Sequence, residues 1–367
     1  MTRPTRAVVD LGAIARNYRR LAGRLAGQAV LPVVKADAYG HGAIPVARRL
    51  AAEGAARFAV ALLEEGVALR RGGVAGDLLV LGHSDPSDVP QLRAYGLTPT
   101  LHAIEQARGF AEATRRLPDA LAVHVKLETG MGRLGFREEE TSALLELLRD
   151  APGLRVAGAF TNFSQADEPS SGATARQIGR MRFAVEALRA AGFPPATVHA
   201  ANSAAVLAHP DSFFDAVRPG LALYGVSPFA ESDEGLEPAL TLETRVIAAH
   251  DVPKGAALGY GGRFVTRRAS RIATIPIGYH DGLRRVFSGR SFFLLRGRRV
   301  PLVGAVSMDL TLLDATDSGA EAGDRVVCLG TDGSDHVTAW ELARAADTIP
   351  YEILCGIGPR VPRQYVD

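Results

Sequence analysis

Polar residues follow a series of apolar, β-branched runs in this sequence, and their types suit chemistry on a carbonyl group and a phosphate. These residues are Lys35, Lys126, Glu128, Arg133, Asn162, Asn202, Ser203, Arg218 and Gly220. A lysine directly after a buried strand lies in a low dielectric, where desolvation lowers the pKa of its amine and favours the neutral nucleophile that attacks carbonyls. Lys35 is therefore a candidate Schiff-base lysine. The alternative is a lysine that extends its ammonium to solvent or pairs with Asp37.

Short strand-like runs alternate with amphipathic helical stretches over residues 1–235. The predicted strands are Val30–Val34, Arg57–Ala61, Leu78–Leu81, Thr98–Leu101, Ala122–Leu127, Leu154–Phe160, Thr197–Ala200 and Ala216–Arg218. The predicted helices are Leu11–Leu25, Ala43–Ala52, Leu63–Arg71, Ile104–Arg116, Glu138–Leu148 and Ala175–Ala191. Such alternation indicates a parallel sheet covered by helices, and this number of units fits a closed (β/α)8 barrel of the TIM type. An open, doubly wound sheet is the alternative.

After about residue 235 the pattern changes to closely spaced strand-like runs separated by Gly and Pro. These runs are Leu242–Ala248, Arg271–Pro276, Ser291–Leu295, Val300–Val306, Leu310–Leu313 and Arg325–Leu329, and Val337–Ala346 is helical in character. Tight turns at short spacing are typical of antiparallel strands. We therefore predict an α/β barrel over residues 1–235 and a mainly antiparallel β domain over residues 236–367.

The predicted barrel places a hydroxyl group and a turn where phosphate groups often dock. In such barrels the chemistry gathers at the carboxyl ends of the strands, and phosphates bind after strands seven and eight. Ser203 follows the seventh predicted strand, and the turn Arg218–Leu221 follows the eighth. A hydroxyl and backbone N–H groups are good donors to phosphate oxygens. A strand-end lysine together with this phosphate cup indicates pyridoxal phosphate as the cofactor.

Composition excludes several other classes of protein. The 367 residues include 42 basic and 40 acidic side chains, spread along the chain, so we expect no nucleic-acid partner. Cys328 and Cys355 fit neither a zinc motif nor a disulfide framework, which indicates no metal site and a reducing cytoplasm. The first ten residues lack the apolar segment of a secretory signal, and the uncharged stretch Ala190–Pro210 is too polar for a membrane span.

Several separate segments, in the same order along the chain, resemble the alanine racemase family of fold-type III pyridoxal phosphate enzymes. They are Val34–Gly42, Lys126–Gly135, Ala200–Ala204, Arg218–Gly220, Gly259–Gly261, Ile277–Tyr279 with Asp281–Gly282, and Ser307–Asp309. The resemblance extends over essentially the whole length. It implies a barrel followed by a β domain, and a head-to-tail homodimer in which each active site lies between one subunit's barrel and the other's β domain.

The resemblance also implies two bases on opposite faces of the substrate. Lys35 resembles the lysine that holds the cofactor and acts as the base on one face, and Tyr260, from the partner subunit, resembles the base on the other. Racemisation requires this arrangement, because a proton removed from one face must be replaced on the opposite one. A tyrosine with an ordinary pKa near ~10 serves as a base only if neighbouring groups, such as arginines, stabilise its phenolate.

Two arginines and a lysine match positions that contact or support the cofactor in this family. Arg218 resembles the arginine that donates to the pyridine nitrogen. Because arginine keeps its proton, that nitrogen is expected to stay unprotonated and the cofactor to be a weaker electron sink. Arg133 resembles the residue that contacts the phenolic oxygen of the cofactor and the substrate carboxylate. Lys126 matches a lysine that is carbamylated in many members and then holds Arg133 in place.

The remaining matches concern the phosphate and the substrate. Tyr39, Ser203, Gly220, Leu221 and Tyr351 correspond to the phosphate-binding positions. On the partner subunit, Met308 would offer its backbone N–H to the substrate carboxylate, with Asp309 beside it and Tyr279 at the entrance.

Two positions depart from the family pattern and leave the substrate open. Asn162 stands beside the cofactor where the family usually has histidine, and His280 replaces a small residue near the entrance. We expect interconversion of L-alanine and D-alanine for cell-wall precursors, with serine or a longer amino acid as the alternative substrate. A pyridoxal phosphate carrier without activity would lack the β domain that bears Tyr260 and Met308. A decarboxylase of the same fold would place an acid, not Arg218, near the pyridine nitrogen.

Overall fold

The computed structural model of the chain describes residues 3–230 and 232–367, which form two compact units. One unit comprises Ile14–Ala38 and Ala43–Glu237, and the other comprises the residues up to Ala13, Tyr39–Gly42 and Pro238–Asp367. The N-terminal strand β1 (Arg6–Asp10) belongs to the second unit because it pairs antiparallel with Leu240–Arg245, in the register Val8 opposite Thr241. The predicted limits had placed these first residues with the barrel. Helix α1 (Leu11–Ala22) follows β1.

The first unit contains the parallel strands of the predicted barrel. They are β2 (Ala29–Val30), β3 (Arg57–Val60), β4 (Asp77–Val80), β5 (Leu97–Thr98), β6 (Thr100–Leu101), β7 (Leu121–Lys126), β8 (Leu154–Phe160), β9 (Thr197–His199) and β10 (Ala216–Val217). Pairing runs β2-β10-β9-β8-β7-β6 in one sheet and β3-β4-β5 in another. A parallel bridge between Val33 and Ala59 joins the first sheet to β3, and β5 continues into β6 through Pro99. The ring is thus closed, which confirms the barrel and excludes the open sheet.

Proline explains why the first strand is shorter than predicted. The expected strand covered Val30–Val34, whereas β2 ends at Val30. Pro32 has no N–H to donate to a neighbouring strand. Its carbonyl still accepts from the Ala59 N–H at 2.9 Å, and the Val34 N–H donates to the Ala59 carbonyl at 2.9 Å. The chain therefore continues along the barrel wall up to Lys35 without a regular ladder.

Helices connect the barrel strands. They are α2 (Lys35–Gly40), α3 (Ala43–Ala52), α4 (Leu63–Arg71), α5 (Val89–Ala94), α6 (Ile104–Thr114), α7 (Thr141–Arg149), α8 (Ala173–Ala190) and α9 (Ser203–Ala208). Helix α3 shows the common pattern, with Val46, Ala47 and Leu50 buried at helical spacing. Helix α9 begins at a cap in which the Asn202 side chain accepts from the Ala205 N–H at 3.1 Å.

The turn directly after Lys35 is left-handed. Ala36, Asp37, Ala38 and Tyr39 all have φ between +52° and +54°. For residues with a side chain this conformation costs roughly 1–2 kcal/mol each. Two acids stabilise the turn, since Glu65 accepts from the Ala36 N–H at 2.7 Å and Asp37 accepts from the Ala43 N–H at 2.7 Å. The surrounding contacts, and not local preference, hold the backbone that carries Lys35.

The second unit is mainly an antiparallel sheet. Its further strands are β11 (Leu240–Arg245), β12 (Ala248–Val252), β13 (Ala257–Leu258), β14 (Phe264–Val265), β15 (Ser270–Ile275), β16 (Phe292–Leu295), β17 (Arg298–Val303), β18 (Thr311–Asp314), β19 (Arg325–Asp332), β20 (Asp335–Val337) and β21 (Arg363–Val366). The order is β12-β15-β18-β17-β16-β19-β11-β1-β21, with β20 on β19 and β13 paired with β14. Only the edge pair β1-β21 is parallel among the described strands of this unit.

Two helices complete the second unit. They are α10 (Ala339–Ala345) and α11 (Pro350–Cys355). The sequence predicted the first but not the second. Helix α11 begins with Pro350 at its first position, where the missing N–H costs nothing. It carries Tyr351, one of the positions expected to contact phosphate.

Substitution of Gly158 tests the packing inside the barrel. A Cβ at this position in β8 would lie 2.4 Å from Cε1 of His124, whose ring is held by its bond to His199. We expect Gly158→Ala to lower the free energy of unfolding by about 1–3 kcal/mol through overpacking. The measurement is the midpoint of urea unfolding, followed by circular dichroism.

Gly179→Ala is the matched control for this prediction. No atom lies within 4 Å of a Cβ at Gly179, in the interior of α8. Alanine should therefore raise the free energy of unfolding by up to about 1 kcal/mol. Equal stability of the two variants would show that the His124 ring can move without cost.

Candidate active site

The carboxyl ends of the barrel strands carry a cluster of positive charges. Lys126 ends β7 and is 7% exposed. Burial, and then the charges of Arg133 and Arg218, lower the pKa of Lys126 to about 8, and the charge of Lys35 acts in the same direction. The structure thus brings Arg133, Arg218 and Lys35 into electrostatic range of Lys126, and repulsion between these like charges favours an anion beside Lys126.

The Glu128 carboxylate, which lies beside this cluster, binds the backbone of the loop that follows it. The Glu128 carboxylate accepts backbone N–H bonds from Gly130 at 2.5 Å, Met131 at 2.6 Å, Gly132 at 2.9 Å and Arg133 at 3.3 Å. Burial opposes ionisation, but these four bonds hold the pKa of Glu128 below its usual value. Its role is to fold the segment that presents Arg133.

Arg218 is fixed by neutral acceptors. Its Nη1 donates to Nδ1 of His199 at 2.7 Å, and its Nη2 donates to the carbonyls of Thr161 at 2.6 Å and Ala200 at 3.1 Å. Burial lowers the pKa of Arg218 to about 9, which leaves the guanidinium protonated at neutral pH. Its Nε has no acceptor among the described residues. The guanidinium can therefore donate to a ligand but cannot protonate it.

Two buried histidines that the sequence analysis missed support Arg218. Because Arg218 donates to Nδ1 of His199, the other nitrogen of His199 must carry the proton, and it lies 2.9 Å from Nδ1 of His124. Burial and then nearby arginine charges lower the pKa of both histidines, that of His124 to about 4. Both rings are thus neutral near pH 7. The sequence feature that could have indicated them is the position of His124 and His199 within the apolar strands β7 and β9.

Phe160 forms the apolar centre of this cluster. Its ring stacks on His199, with centroids 5.0 Å apart and planes at 9°. Nζ of Lys126 lies 5.5 Å from the Phe160 centroid, and the Arg218 guanidinium carbon lies 5.2 Å from it. Both cations therefore gain a cation–π contact with the same ring.

Asn162, where the family usually has histidine, is held by uncharged groups. Its Nδ2 donates to the Phe163 carbonyl at 3.2 Å, and its own carbonyl accepts from Nε2 of Gln177 at 3.2 Å. An amide does not titrate, so this position adds no pH-dependent charge beside Arg218.

Three of the residues predicted to contact phosphate, Ser203, Gly220 and Leu221, lie close together in the barrel unit. Oγ of Ser203 accepts from the Gly220 N–H at 2.9 Å and from the Ala222 N–H at 3.2 Å. These residues come from the start of α9 and from the turn after β10, with Leu221 between the two donors. A phosphate at this place would meet the Ser203 hydroxyl, which accepts from these two N–H groups and keeps its own proton to donate.

The second unit holds the other two predicted phosphate residues close together. The rings of Tyr39 and Tyr351 lie 5.9 Å apart at 44°. Tyr39 ends the left-handed turn, and the carbonyl of the next residue, Gly40, accepts from Nε of Arg363 at 3.0 Å. The two phenols are thus positioned by different segments of the same unit.

The predicted substrate residues of the second unit lie at its surface. Tyr260, in the turn between β13 and β14, is 75% exposed, Met308 is 50% exposed and Tyr279 is 43% exposed. His280 is exposed as well. The Asp309 carboxylate lies 2.9 Å from Nη2 of Arg360.

Metal-binding clusters and membrane-spanning helices are absent from the part of the chain that the structure describes. Residues 3–230 and 232–367 contain no group of three or more His, Cys, Asp or Glu side chains that could hold a metal ion. Within the same ranges, no helix combines the length and the apolar character needed to cross a bilayer.

Comparison with known proteins identifies relatives for both units. Residues 9–228 match the family model of the alanine racemase N-terminal domain, and residues 239–365 match that of the alanine racemase C-terminal domain. The alanine racemase of Carboxydothermus hydrogenoformans is 43% identical over 99% of this chain and 100% of its own length. That of Symbiobacterium thermophilum is 42% identical over 99% of this chain and 97% of its own length.

Solved structures agree with these relatives. The alanine racemase of Bacillus anthracis, determined with bound L-Ala-P, superposes with a TM-score of 0.95 at 35% identity, over 100% of this chain and 96% of that one. The alanine racemase of Streptomyces lavendulae gives a TM-score of 0.95 at 33% identity, over 100% and 98%. Since family models, full-length identity and fold all point the same way, the chain belongs to the alanine racemase family.

Proposed function

We propose that this chain is a pyridoxal phosphate-dependent alanine racemase that interconverts L-alanine and D-alanine in the cytoplasm and supplies D-alanine for peptidoglycan. One observation carries the proposal. A lysine, a cationic cluster around Arg218 and a cup of hydroxyl and N–H donors stand at the ends of strands of one closed barrel. This is the donor set that a phosphorylated aldehyde with a basic ring nitrogen requires.

The residues of this chain fit the cofactor in chemical type. Lys35 would bind its aldehyde carbon, and Arg218 would donate to its ring nitrogen. Arg133 and Asn162 would lie at the ring, and the phosphate would be bound by Tyr39, Ser203, Gly220, Leu221 and Tyr351. When bound, pyridoxal phosphate supplies an electron-withdrawing ring that stabilises negative charge at the substrate α-carbon.

Arg218 would tune the strength of that withdrawal. Its guanidinium is positioned by the neutral His199 and by two carbonyls, so no group at this place can pass a proton to the ring nitrogen. The nitrogen would stay unprotonated, which limits charge delocalisation and disfavours side reactions. The protein would thereby favour return of the proton to the α-carbon.

Two groups would move the proton between the faces. The Lys35 amine would act on one face of the α-carbon, and the Tyr260 phenol of the partner subunit would act on the other. The exposure of Tyr260, 75% in the single chain, supports a role that is completed by a second copy. The homodimer with shared sites is therefore part of the proposal.

Serine is the second candidate substrate, because Asn162 replaces a larger ring. The smaller amide leaves room beside the cofactor and offers a hydrogen-bonding group to a hydroxyl side chain. A preference for alanine or serine would appear as the ratio of the kcat/KM values for these two amino acids.

A racemisation assay tests the proposed function. With added pyridoxal phosphate, the purified chain should racemise both enantiomers of alanine, with serine slower and lysine and arginine slowest. Lys35→Ala should abolish turnover, since it removes both the cofactor link and one base. Chiral chromatography of the products is the measurement. A wild-type protein that racemises none of these amino acids would contradict the proposal.

Reduction with borohydride locates the cofactor link. The sequence contains three lysines, Lys35, Lys126 and Lys254, so the labelled residue can be identified among three candidates. Peptide mass spectrometry should find the reduced cofactor on Lys35. Label on either of the other two would refute the cofactor assignment, even if the protein were active.

Tyr260→Phe tests the division of labour between the two bases. Removing the phenolic O–H should slow uptake of solvent deuterium from one enantiomer of alanine by about 10²- to 10⁴-fold, and much less from the other. Proton NMR of the α-hydrogen follows both reactions. Tyr279→Phe is the matched control and should affect the enantiomers equally. A symmetric loss in Tyr260→Phe would contradict the two-face scheme.

Lys126 should form a carbamate with dissolved CO2. A pKa of about 8 leaves roughly a tenth of this amine neutral at pH 7 and most of it neutral at pH 9. The neutral nitrogen forms a bond to carbon and releases one proton, and the product would be stabilised by Arg133 and Arg218. At fixed dissolved ¹³CO2, the carbamate signal in carbon NMR should therefore rise with pH. It should vanish in Lys126→Arg, and its persistence there would assign it to another amine.

A further inference from the structure

A buried carboxylate in the second unit joins its own loop to two segments that are far away in the sequence. The Asp281 side chain is fully buried, and Arg3 donates to it through Nη1 at 2.8 Å and Nη2 at 2.5 Å. Nε of Arg360 donates to it at 3.1 Å, and the Gly278 N–H donates at 3.0 Å. Although burial opposes ionisation, these donors hold the pKa of Asp281 below its usual value. The Asp281 carboxylate is thus ionised, and both of its oxygens accept hydrogen bonds.

Arg360 connects this carboxylate to the candidate substrate loop. Its Nη2 lies 3.0 Å from Asp281 and donates to Asp309 at 2.9 Å. One guanidinium therefore bridges a buried acid, 0% exposed, and a half-exposed acid, 56% exposed, on the loop that follows β17. Such a planar group can hold both partners in a fixed orientation.

The two loops are also joined through their backbones. The Tyr279 N–H donates to the Ser307 carbonyl at 2.9 Å, and the His280 N–H donates to the Met308 carbonyl at 3.2 Å. A Cβ on Gly278 would lie 2.4 Å from the Met308 carbonyl carbon, so this close approach requires glycine. Residues 278–281 and 307–309 form one rigid element.

This element presents N–H groups that have no acceptor in the described part of the chain. Met308 and Asp309 donate no backbone hydrogen bond there, whereas the Met308 carbonyl is bonded. Free N–H groups on a rigid loop suit a carboxylate. A bare Asp309 carboxylate beside them would repel such a ligand, because like charges at close range disfavour one another. Arg360 neutralises that charge.

We infer that Arg360 is a positioning residue: it neutralises Asp309 and fixes the Met308 N–H for the substrate carboxylate, with Asp281 and Arg3 as its anchor. The inference rests on the proposed function, and it gives Asp309 an indirect part in substrate binding. In the proposed homodimer, the loop serves the site of the other subunit.

Arg360→Ala tests the inference through three readouts on the holoenzyme. KM for alanine should rise about five- to tenfold with kcat within about threefold, because ground-state binding is weakened. Ki for propionate, which shares the carboxylate but lacks the amine, should rise by a similar factor. Amide hydrogen exchange should accelerate in peptides that cover residues 304–311. Arg268→Ala, which breaks the exposed ion pair with Asp317 in the same unit, is the control and should change none of these.

A double variant separates neutralisation from simple loss of structure. Adding Asp309→Asn to Arg360→Ala removes the uncompensated charge, so Ki for propionate should return most of the way to the wild-type value while fast exchange persists. A double variant as weak as Arg360→Ala would overturn the neutralising role. Unchanged KM, Ki and exchange in Arg360→Ala would overturn the positioning role. Absence of racemisation in the wild type would instead refute the proposed function, and the exchange result would still report on the loop.

Discussion

The buried guanidinium of Arg218 is the constraint on which the barrel mouth depends. A charge removed from water is destabilising unless its donors are used. Arg218 meets most of this requirement with a neutral histidine ring and two backbone carbonyls, which accept from both of its terminal nitrogens and do not cancel its charge. Nζ of Lys126, a second buried cation, lies 5.5 Å from the centroid of the Phe160 ring. The end of the barrel that carries these two cations therefore has a positive electrostatic potential.

The two units handle charge in opposite ways. In the barrel, the Glu128 carboxylate accepts from four backbone N–H groups, and Arg218 donates to a neutral ring nitrogen and to carbonyls. In the second unit, Arg3 and Arg360 balance Asp281 and Asp309 one for one. The charge of Arg218 in the barrel thus remains uncancelled by its hydrogen-bond partners, whereas the charges beside the loop of Met308 are balanced.

Periodicity and turn residues were sufficient to predict the barrel, the β domain and most strand positions, because both depend on local patterns of apolar side chains. The strand-end residues Lys126, Ser203 and Arg218 were predicted for the same reason, since their place in the barrel follows from their place after a strand. His124 and His199 were not predicted as supports of Arg218, because an inward-facing histidine in a strand has the same sequence pattern whether it is structural or functional.

Contacts between segments far apart in the chain could not be predicted from the sequence either. Nothing near Arg360 indicates that it bridges Asp281 and Asp309, which lie 79 and 51 residues away in the chain. Likewise, the residues Ala36–Tyr39 have no glycine that would mark a left-handed backbone, and only the acceptors Glu65 and Asp37 reveal why the turn is stable. Tertiary partners override local preference at both places.

The left-handed turn after Lys35 reverses the usual preference for alanine over glycine in a helical segment. In an ordinary helix, alanine is the best residue and glycine is among the worst. Here the four positive φ values represent about 4–8 kcal/mol of conformational cost, and glycine is the residue that would relieve it. At Ala36 and Ala38 glycine, asparagine or aspartate would thus fit the backbone better than most residues, and β-branched residues are the least acceptable replacements.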